Sequence, residues 1–398
     1  MTQAPLKGIR ILDLTNVLAG PFCCHHLAHL GAEVVKVEAA GRGDLARQLG
    51  ADPELNKANM GVSFLAQNAG KKSVTVNLKN ARGREIFLKL VETADVVVEN
   101  FRPGVMTRLG VGYETLKEVN PTLIYCAISG FGQEGPWVHR PAYDQIIQGT
   151  SGVMSITGGG ESAPLRVGYP VADTVGGITA AFAISSALNA NPRGTFIDVS
   201  MLESVLATMG WVVSNYLIAG VNPTANGNEN PTSAPSGAFE AEGGLINIAA
   251  NKDQQWELLT DHLGLDALRE RPEYATREDR KRNRLALKTE LEAVLKTRPP
   301  RDWAKELNSI GVPSGAVLTV PEVLEMPQVA DRGFLGQFEN VPGVGRDIQV
   351  ATTGIKLDGS APTVDAPPPT LGQHNTEIWS ELGLTPDDIE KLAKDGAI

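Results

Sequence analysis

Over the N-terminal part of the chain, apolar residues fall in short unbroken runs rather than in alternation, at residues 9–14, 34–38, 73–78, 96–99 and 123–129. Runs of this length, rich in Val and Ile, predict strands covered on both faces. Between them the apolar spacing becomes helical, at 21–30, which opens with a proline in its first turn, and at 81–92. Strand and helix in repeated succession predict an α/β fold, a doubly wound parallel sheet. A helix at 172–189, a strand at 195–199 and a helix at 202–219 close this first segment. Residues 222–236, rich in Asn, Pro, Thr and Gly, read as a mobile loop and linker. A hairpin at 239–248 then precedes polar helices at 253–263, 277–296 and 301–310, which define a smaller α+β domain. The boundaries expected are 1–225 for the first segment of the large domain, 226–325 for the small domain, and 326–398 for a segment that returns to the large one, ending in a helix near 387–394.

Length agrees with two domains, since 398 residues exceed what one core organises. A net charge of −10 argues against a nucleic-acid or membrane-surface binder, both of which need a positive field. No apolar run is long enough to span a bilayer, and Met1-Thr2-Gln3-Ala4-Pro5 lacks a charged-then-apolar leader, so a cytoplasmic location is expected. The cysteines Cys23, Cys24 and Cys126 include an adjacent pair that cannot readily bridge, so no disulfide framework is indicated. His25 and His29 share a helix face at i, i+4 but lack a third ligand at a useful spacing, and no metal site is expected. The charge run 277–282 reads as a solvated helix face.

Ligands of doubly wound sheets bind beyond the carboxyl ends of the strands. Here the segments are 16–21, 41–44, 100–104 and 130–135, and none contains the Gly-x-Gly-x-x-Gly of a dinucleotide fold. The stretch Tyr169-Pro170-Val171-Ala172-Asp173-Thr174-Val175-Gly176-Gly177 sets one carboxylate in the first turn of a small-residue helix. Free N–H groups and the helix dipole there favour an ionised Asp173, fit to attack an acyl group, although an N-capping role is the commoner use of such an aspartate. Gly176 and Gly177 would admit a bulky substrate and offer N–H donors to an oxyanion.

These blocks, together with Gly8-Ile9-Arg10-Ile11-Leu12-Asp13-Leu14, Ala19-Gly20-Pro21, Gly43-Asp44, Lys71-Lys72-Ser73, Glu99-Asn100-Phe101-Arg102-Pro103-Gly104, Gly130-Phe131-Gly132, Tyr143-Asp144, Gly311-Val312-Pro313 and Leu371-Gly372-Gln373-His374, resemble the class III CoA-transferases along essentially the whole chain. The resemblance implies an interlocked, ring-like homodimer with its active site between large and small domains. It also implies acyl-CoA as a substrate rather than a tightly bound cofactor. Asp173 falls on the family's nucleophile, which passes through an aspartyl mixed anhydride and an aspartyl-CoA thioester. Arg108 matches a CoA-contacting arginine. Arg42, Lys71, Lys72 and Arg102 are further candidates for its phosphates. Gly227, Asn228 and Glu229 occupy the place of a glycine-rich lid that would exclude water. Leu18 and Ala39 depart from the glutamine and arginine of formyl-CoA transferase.

The alternative within the same fold is an α-methylacyl-CoA racemase, whose second acid/base is a histidine where Tyr143 stands. A phenol is a poor base near neutral pH, so transfer is preferred. A dehydrogenase would rest on the fold alone, and an inactive CoA-binding scaffold would not need an intact Asp173 motif. The pattern around residues 124–132 resembles the succinyl-CoA-dependent branch acting on dicarboxylates, and Arg166 is the expected partner of a second carboxylate.

Overall fold

The computed structural model describes residues 4–398, which form two units. The first comprises the chain up to Val153, Arg166–Val221 and Pro327–Ile398; the second comprises Met154–Leu165 and Asn222–Met326. The stretch 154–165, which the sequence pattern places in the large domain, thus belongs with the second unit.

The first unit is built on six parallel strands: β1 (Arg10–Asp13), β2 (Glu33–Glu38), β3 (Lys71–Thr75), β4 (Val96–Glu99), β5 (Ile124–Ser129) and β6 (Thr195–Ser200). Their spatial order is β3-β2-β1-β4-β5-β6, so the winding reverses between β1 and β4. Successive residues of the four central strands, β2, β1, β4 and β5, enter opposite cores. Leu12, Val35, Val97 and Tyr125 pack on one face with Phe87 and Trp379, whereas Ile11, Val34, Val96 and Cys126 pack on the other with Leu27 and Ile184. Burial on both faces is the physical reason the strands read as continuous apolar runs. Helices α1 (Ala19–His29), α2 (Asp144–Thr150) and α3 (Val171–Ala187) lie after β1, after β5 and before β6. Among the described residues no single helix is long and apolar enough to cross a membrane; the pair Met201–Thr208 and Gly210–Ala219 is so only in combined length and composition, and is bent by 77°.

In the second unit, Ser236–Ala241 and Gly244–Ala249 form the antiparallel hairpin, and Ser314–Ala316 adds a third strand. The helices Asp253–Leu263, Arg284–Leu295 and Pro300–Ser309 supply Trp256, Leu291 and Trp303 to a core shared with Phe239 and Ile246.

Candidate active site

The reversal between β1 and β4 opens a crevice at their carboxyl ends, where the peptide groups that follow each strand have no sheet neighbour. Two asparagines satisfy them. Asn16 donates its backbone N–H to Asn100 Oδ1 and Asn100 Nδ2 donates to the Asn16 carbonyl, both at 2.8 Å. Two cavities flank this clasp and share Asn16 and Phe101 as walls. One, of about 390 Å³, is lined by Val17, Leu18, Leu45, Arg102, Arg140, Tyr143 and Asp173 among others. The second, of about 400 Å³, is lined by residues of the β1, β2 and β3 ends, including Thr15, Ala39, Gly43, Asn77 and Lys79, and by Leu109.

Asp173 is the third residue of α3, and the helix has no side-chain cap of its own because Pro170 stands at its N-cap. The cap comes from α2 instead. Buried Asp144 accepts hydrogen bonds on Oδ1 from the N–H groups of Ala172 at 2.8 Å and Asp173 at 3.4 Å, and on Oδ2 from Gln148 Nε2 at 2.7 Å. Gln148 is itself fixed, accepting the Val167 N–H at 2.8 Å. The favourable end of the dipole is therefore occupied by Asp144, and this reverses the expectation for Asp173. Burial, and then the neighbouring Asp144 carboxylate, push Asp173 up to about 7, so its proton is held far more tightly than by an ordinary aspartate. It is neither the N-cap nor a group kept charged at all pH.

Gly176 and Gly177 are likewise corrected. They lie in the second turn of α3, where N–H groups are paired within the helix and are not open donors. Their use is close packing: a Cβ on Gly177 would stand 2.5 Å from the Ala19 carbonyl oxygen of α1, and one on Gly176 would stand 3.0 Å from Met201 Cγ.

Of the cationic candidates, only Arg102 lines the cavity with Asp173. Lys71 is fully buried; its ammonium donates to Asp13 Oδ2 at 2.9 Å and to the Pro21 carbonyl at 3.0 Å, which leaves it no access to a substrate phosphate. Lys72 is held by Glu33 at 2.7 Å and Glu377 at 2.8 Å and lines neither cavity. Arg42 and Arg108 are exposed and adjoin Gly43 and Leu109 in the wall of the second cavity. Arg166 is exposed, 3.8 Å from Asp144 Oδ2, and lines neither cavity, so it is not placed to receive a second carboxylate there. Tyr143, at 66 % exposure, lines the Asp173 cavity rather than packing its ring away. In the second unit, residues 227–229 are tied down: Gly227 donates to the Gly158 carbonyl at 2.8 Å, Asn228 accepts from Ala238 at 3.1 Å, and Glu229 pairs with Lys288 at 2.8 Å.

Sequence reasoning missed Arg140. Its guanidinium lies 4.2 Å from the centroid of Trp137, which in turn meets Phe131 edge to face, and both Arg140 and Phe131 line the cavity. The spacing Trp137-x-x-Arg140 was the available signal. Neither Arg102 nor Arg140 has an ion-pair partner among the described residues. The role of Asp144 was also missed, because the N–H groups it caps, those of Ala172 and Asp173, are distant from it in sequence.

Behind the wall lies an ionic network. Lys36 reaches Asp44 at 3.0 Å and the Thr15 carbonyl at 2.8 Å; Glu38 binds Arg47 at 2.7 Å, the Asp44 N–H at 2.9 Å and the Ser73 hydroxyl at 2.7 Å. Burial disfavours the Asp13 charge, yet Lys36 and Lys71 outweigh it and hold the carboxyl well below the usual range. Val17, at φ +67°, takes the left-handed conformation, and its N–H donates to Asp44 Oδ1 at 2.9 Å. That conformation costs about 1–2 kcal/mol for a residue with a Cβ, which a hydrogen bond to a charged acceptor, at about 1.5–3 kcal/mol, offsets.

A half-buried carboxylate with a raised pKa, in a cleft at the winding reversal and beside two guanidiniums without ion-pair partners, makes this cleft the candidate active site. Residues 6–375 match the model of CoA-transferase family III, and the chain belongs to this family. It is 39% identical to an acetyl-CoA:oxalate CoA-transferase of Acetobacter aceti, over 88% of this chain and 90% of that protein. It is 37% identical to a succinyl-CoA:glutarate CoA-transferase of Mus musculus, over 100% of this chain and 91% of that protein. A solved structure of a CAIB/BAIF family protein from Brucella suis superimposes with a TM-score of 0.83 at 34% identity, covering 96% of this chain and 100% of that one. The chain is thus a CoA-transferase, and the doubly wound fold is that of its relatives.

Proposed function

We propose that this enzyme moves CoA from succinyl-CoA to a dicarboxylic acid with Asp173 as the nucleophile, and that it does so as an interlocked homodimer. The observation that carries the reading is the placement of Asp173 in a cavity with Arg102, Arg140 and Tyr143. Relatives named for succinyl-CoA and glutarate support the substrate class.

In this mechanism an Asp173 oxygen attacks the thioester carbonyl, the C–S bond breaks, and CoA leaves as its thiolate from an acyl-aspartyl anhydride. The thiolate attacks the aspartyl carbonyl and expels the donor carboxylate, giving aspartyl-CoA thioester. The acceptor carboxylate attacks that carbonyl and again expels the thiolate. Thiolate attack on the acceptor's carbonyl then forms the new thioester and frees Asp173. Each step exchanges carboxylate and thiolate leaving groups, so one exchange between two unactivated acids becomes four acyl transfers. The two cavities divide the substrate: the acyl group lies beside Asp173, the nucleotide end lies against 39–43 and 77–79 with Arg42 and Arg108 at its rim, and the chain between them crosses the Asn16–Asn100 clasp. Arg102 and Arg140 receive the distal carboxylate, a role for which guanidinium forks are suited.

Succinyl-CoA incubated with the enzyme and a panel of mono- and dicarboxylic acids should yield new dicarboxyl-CoA thioesters by mass spectrometry. Asp173→Asn and Asp173→Ala should abolish exchange while retaining CoA binding, and hydroxylamine should trap an adduct on Asp173 of the wild type alone. Exchange persisting in both variants would remove Asp173 from the mechanism.

A further inference from the structure

Two strand-end loops wall the Asp173 cavity, and one carboxylate ties them together. Val17 and Leu18 follow β1, and Leu45 follows β2; all three line the cavity. Asp44 does not line it, yet its Oδ1 accepts both the Val17 N–H and the Ala46 N–H at 2.9 Å. We propose that Asp44 is a positioning residue for acyl transfer, holding Val17 in its left-handed bend and so setting the 17–19 wall of the cavity that Asp173 lines.

Three observations point the same way. Among the described residues the other non-glycine positions with positive φ are Asn59, Asn340 and Asp358, residue types that tolerate this region; a β-branched valine does not, and needs an external hold. The loop supplies none of its own, since Leu18 at the N-cap of α1 makes no side-chain cap. The hold itself is rigid: Asp44 is 1 % exposed, its Oδ2 lies 3.0 Å from Lys36 Nζ, and its N–H is bound by Glu38, which Arg47 locks. A bend that costs free energy and is fixed from the core, at the wall of the reacting cavity, is a device for pre-organisation rather than a consequence of packing.

The inference rests on the reading of the cavity as the acyl site, and its test separates the two. Three full-length variants are compared with the wild type: Asp44→Ala, the double variant Asp44→Ala with Val17→Gly, and Val17→Pro. The proline removes the donor and forbids a positive φ while leaving the Lys36–Asp44 pair intact, so it asks the question even where loss of Asp44 disturbs the core. For Asp44→Ala and Val17→Pro we expect kcat to fall by about tenfold or more with the KM for acyl-CoA changed by less than about threefold. Glycine takes the left-handed bend without a side-chain cost, so Val17→Gly should restore kcat at least about threefold over Asp44→Ala alone. Wild-type turnover in Val17→Pro, or no recovery in the double variant, overturns the proposal. A crystal structure of Asp44→Ala decides it independently of catalysis: residue 17 should relax to negative φ, and a retained left-handed Val17 refutes the role of Asp44 even if the acyl-site reading stands. Absence of any CoA exchange by the wild type would instead sink the acyl-site reading and leave the crystallographic result to judge the loop.

Discussion

At the residue scale the site turns on two carboxylates that share one helix terminus. Asp144 takes the N–H groups, while Asp173, half-buried and facing that carboxylate, is raised to about 7. In the proposed mechanism only the ionised form attacks, so kcat/KM for acyl-CoA should rise about tenfold per pH unit below 7 and level above it. Asp144→Asn keeps an oxygen for the Ala172 N–H but removes the repelling charge, so its profile should shift to lower pH; an unmoved inflection would mean that burial alone sets it. For the unpaired guanidiniums, Arg140→Gln should raise KM for dicarboxylic acceptors about tenfold or more, on the scale of one lost charge-assisted bond, and leave monocarboxylic acceptors little changed. Equal losses for both acid classes, or a loss confined to CoA binding, would remove Arg140 from acceptor recognition. Asp173 was singled out as a candidate from the sequence because its motif is contiguous. Its electrostatics were not, because Asp144 is brought to it by folding across the segment that separates α2 from α3.

Among the elements, α3 shows how packing and chemistry are coupled. It crosses α1 at Gly177, whose missing side chain lets the Ala19 carbonyl come close, and Ala19 itself lines the cavity. Gly177→Ala should therefore destabilise by about 1–3 kcal/mol through overpacking against backbone. Gly176→Ala, which meets the flexible end of Met201, should cost less, and urea unfolding of the two variants measures the difference. Strand positions were readable from apolar runs because both sheet faces are buried. Two helices predicted as continuous are broken, for local reasons that periodicity does not register. At Asn283 the side-chain amide donates to the Glu273 and Asp279 carbonyls in competition with the helix ladder, which separates Arg277–Arg282 from Arg284–Leu295. Near Met209 the chain turns by 77° between Met201–Thr208 and Gly210–Ala219.

For the whole molecule, the informative feature is what the second of those helices leaves uncovered. Gly210–Ala219 carries no charged residue and buries none of its own within the chain, with Trp211 at 84 %, Leu217 at 74 % and Ile218 at 86 % exposure. The sequence presented this stretch only as part of a helix at 202–219, since composition alone does not distinguish a face buried in the chain from one buried in an assembly. Exposed apolar side chains grouped on one helix mark an interaction surface, and a second copy of the chain is the occupant that the proposed homodimer supplies. Light scattering should then give twice the 42.3 kDa chain mass, and Trp211→Glu with Ile218→Glu should lower the dimer fraction or the yield of folded protein. Interlocking adds a sharper expectation, because threaded chains cannot part without unfolding. Two differently tagged preparations mixed in the native state should form no mixed dimers over days, whereas co-expression should give them in statistical proportion. Mixed dimers arising within minutes of mixing would show an interface that opens freely and would exclude threading while leaving dimerisation itself intact.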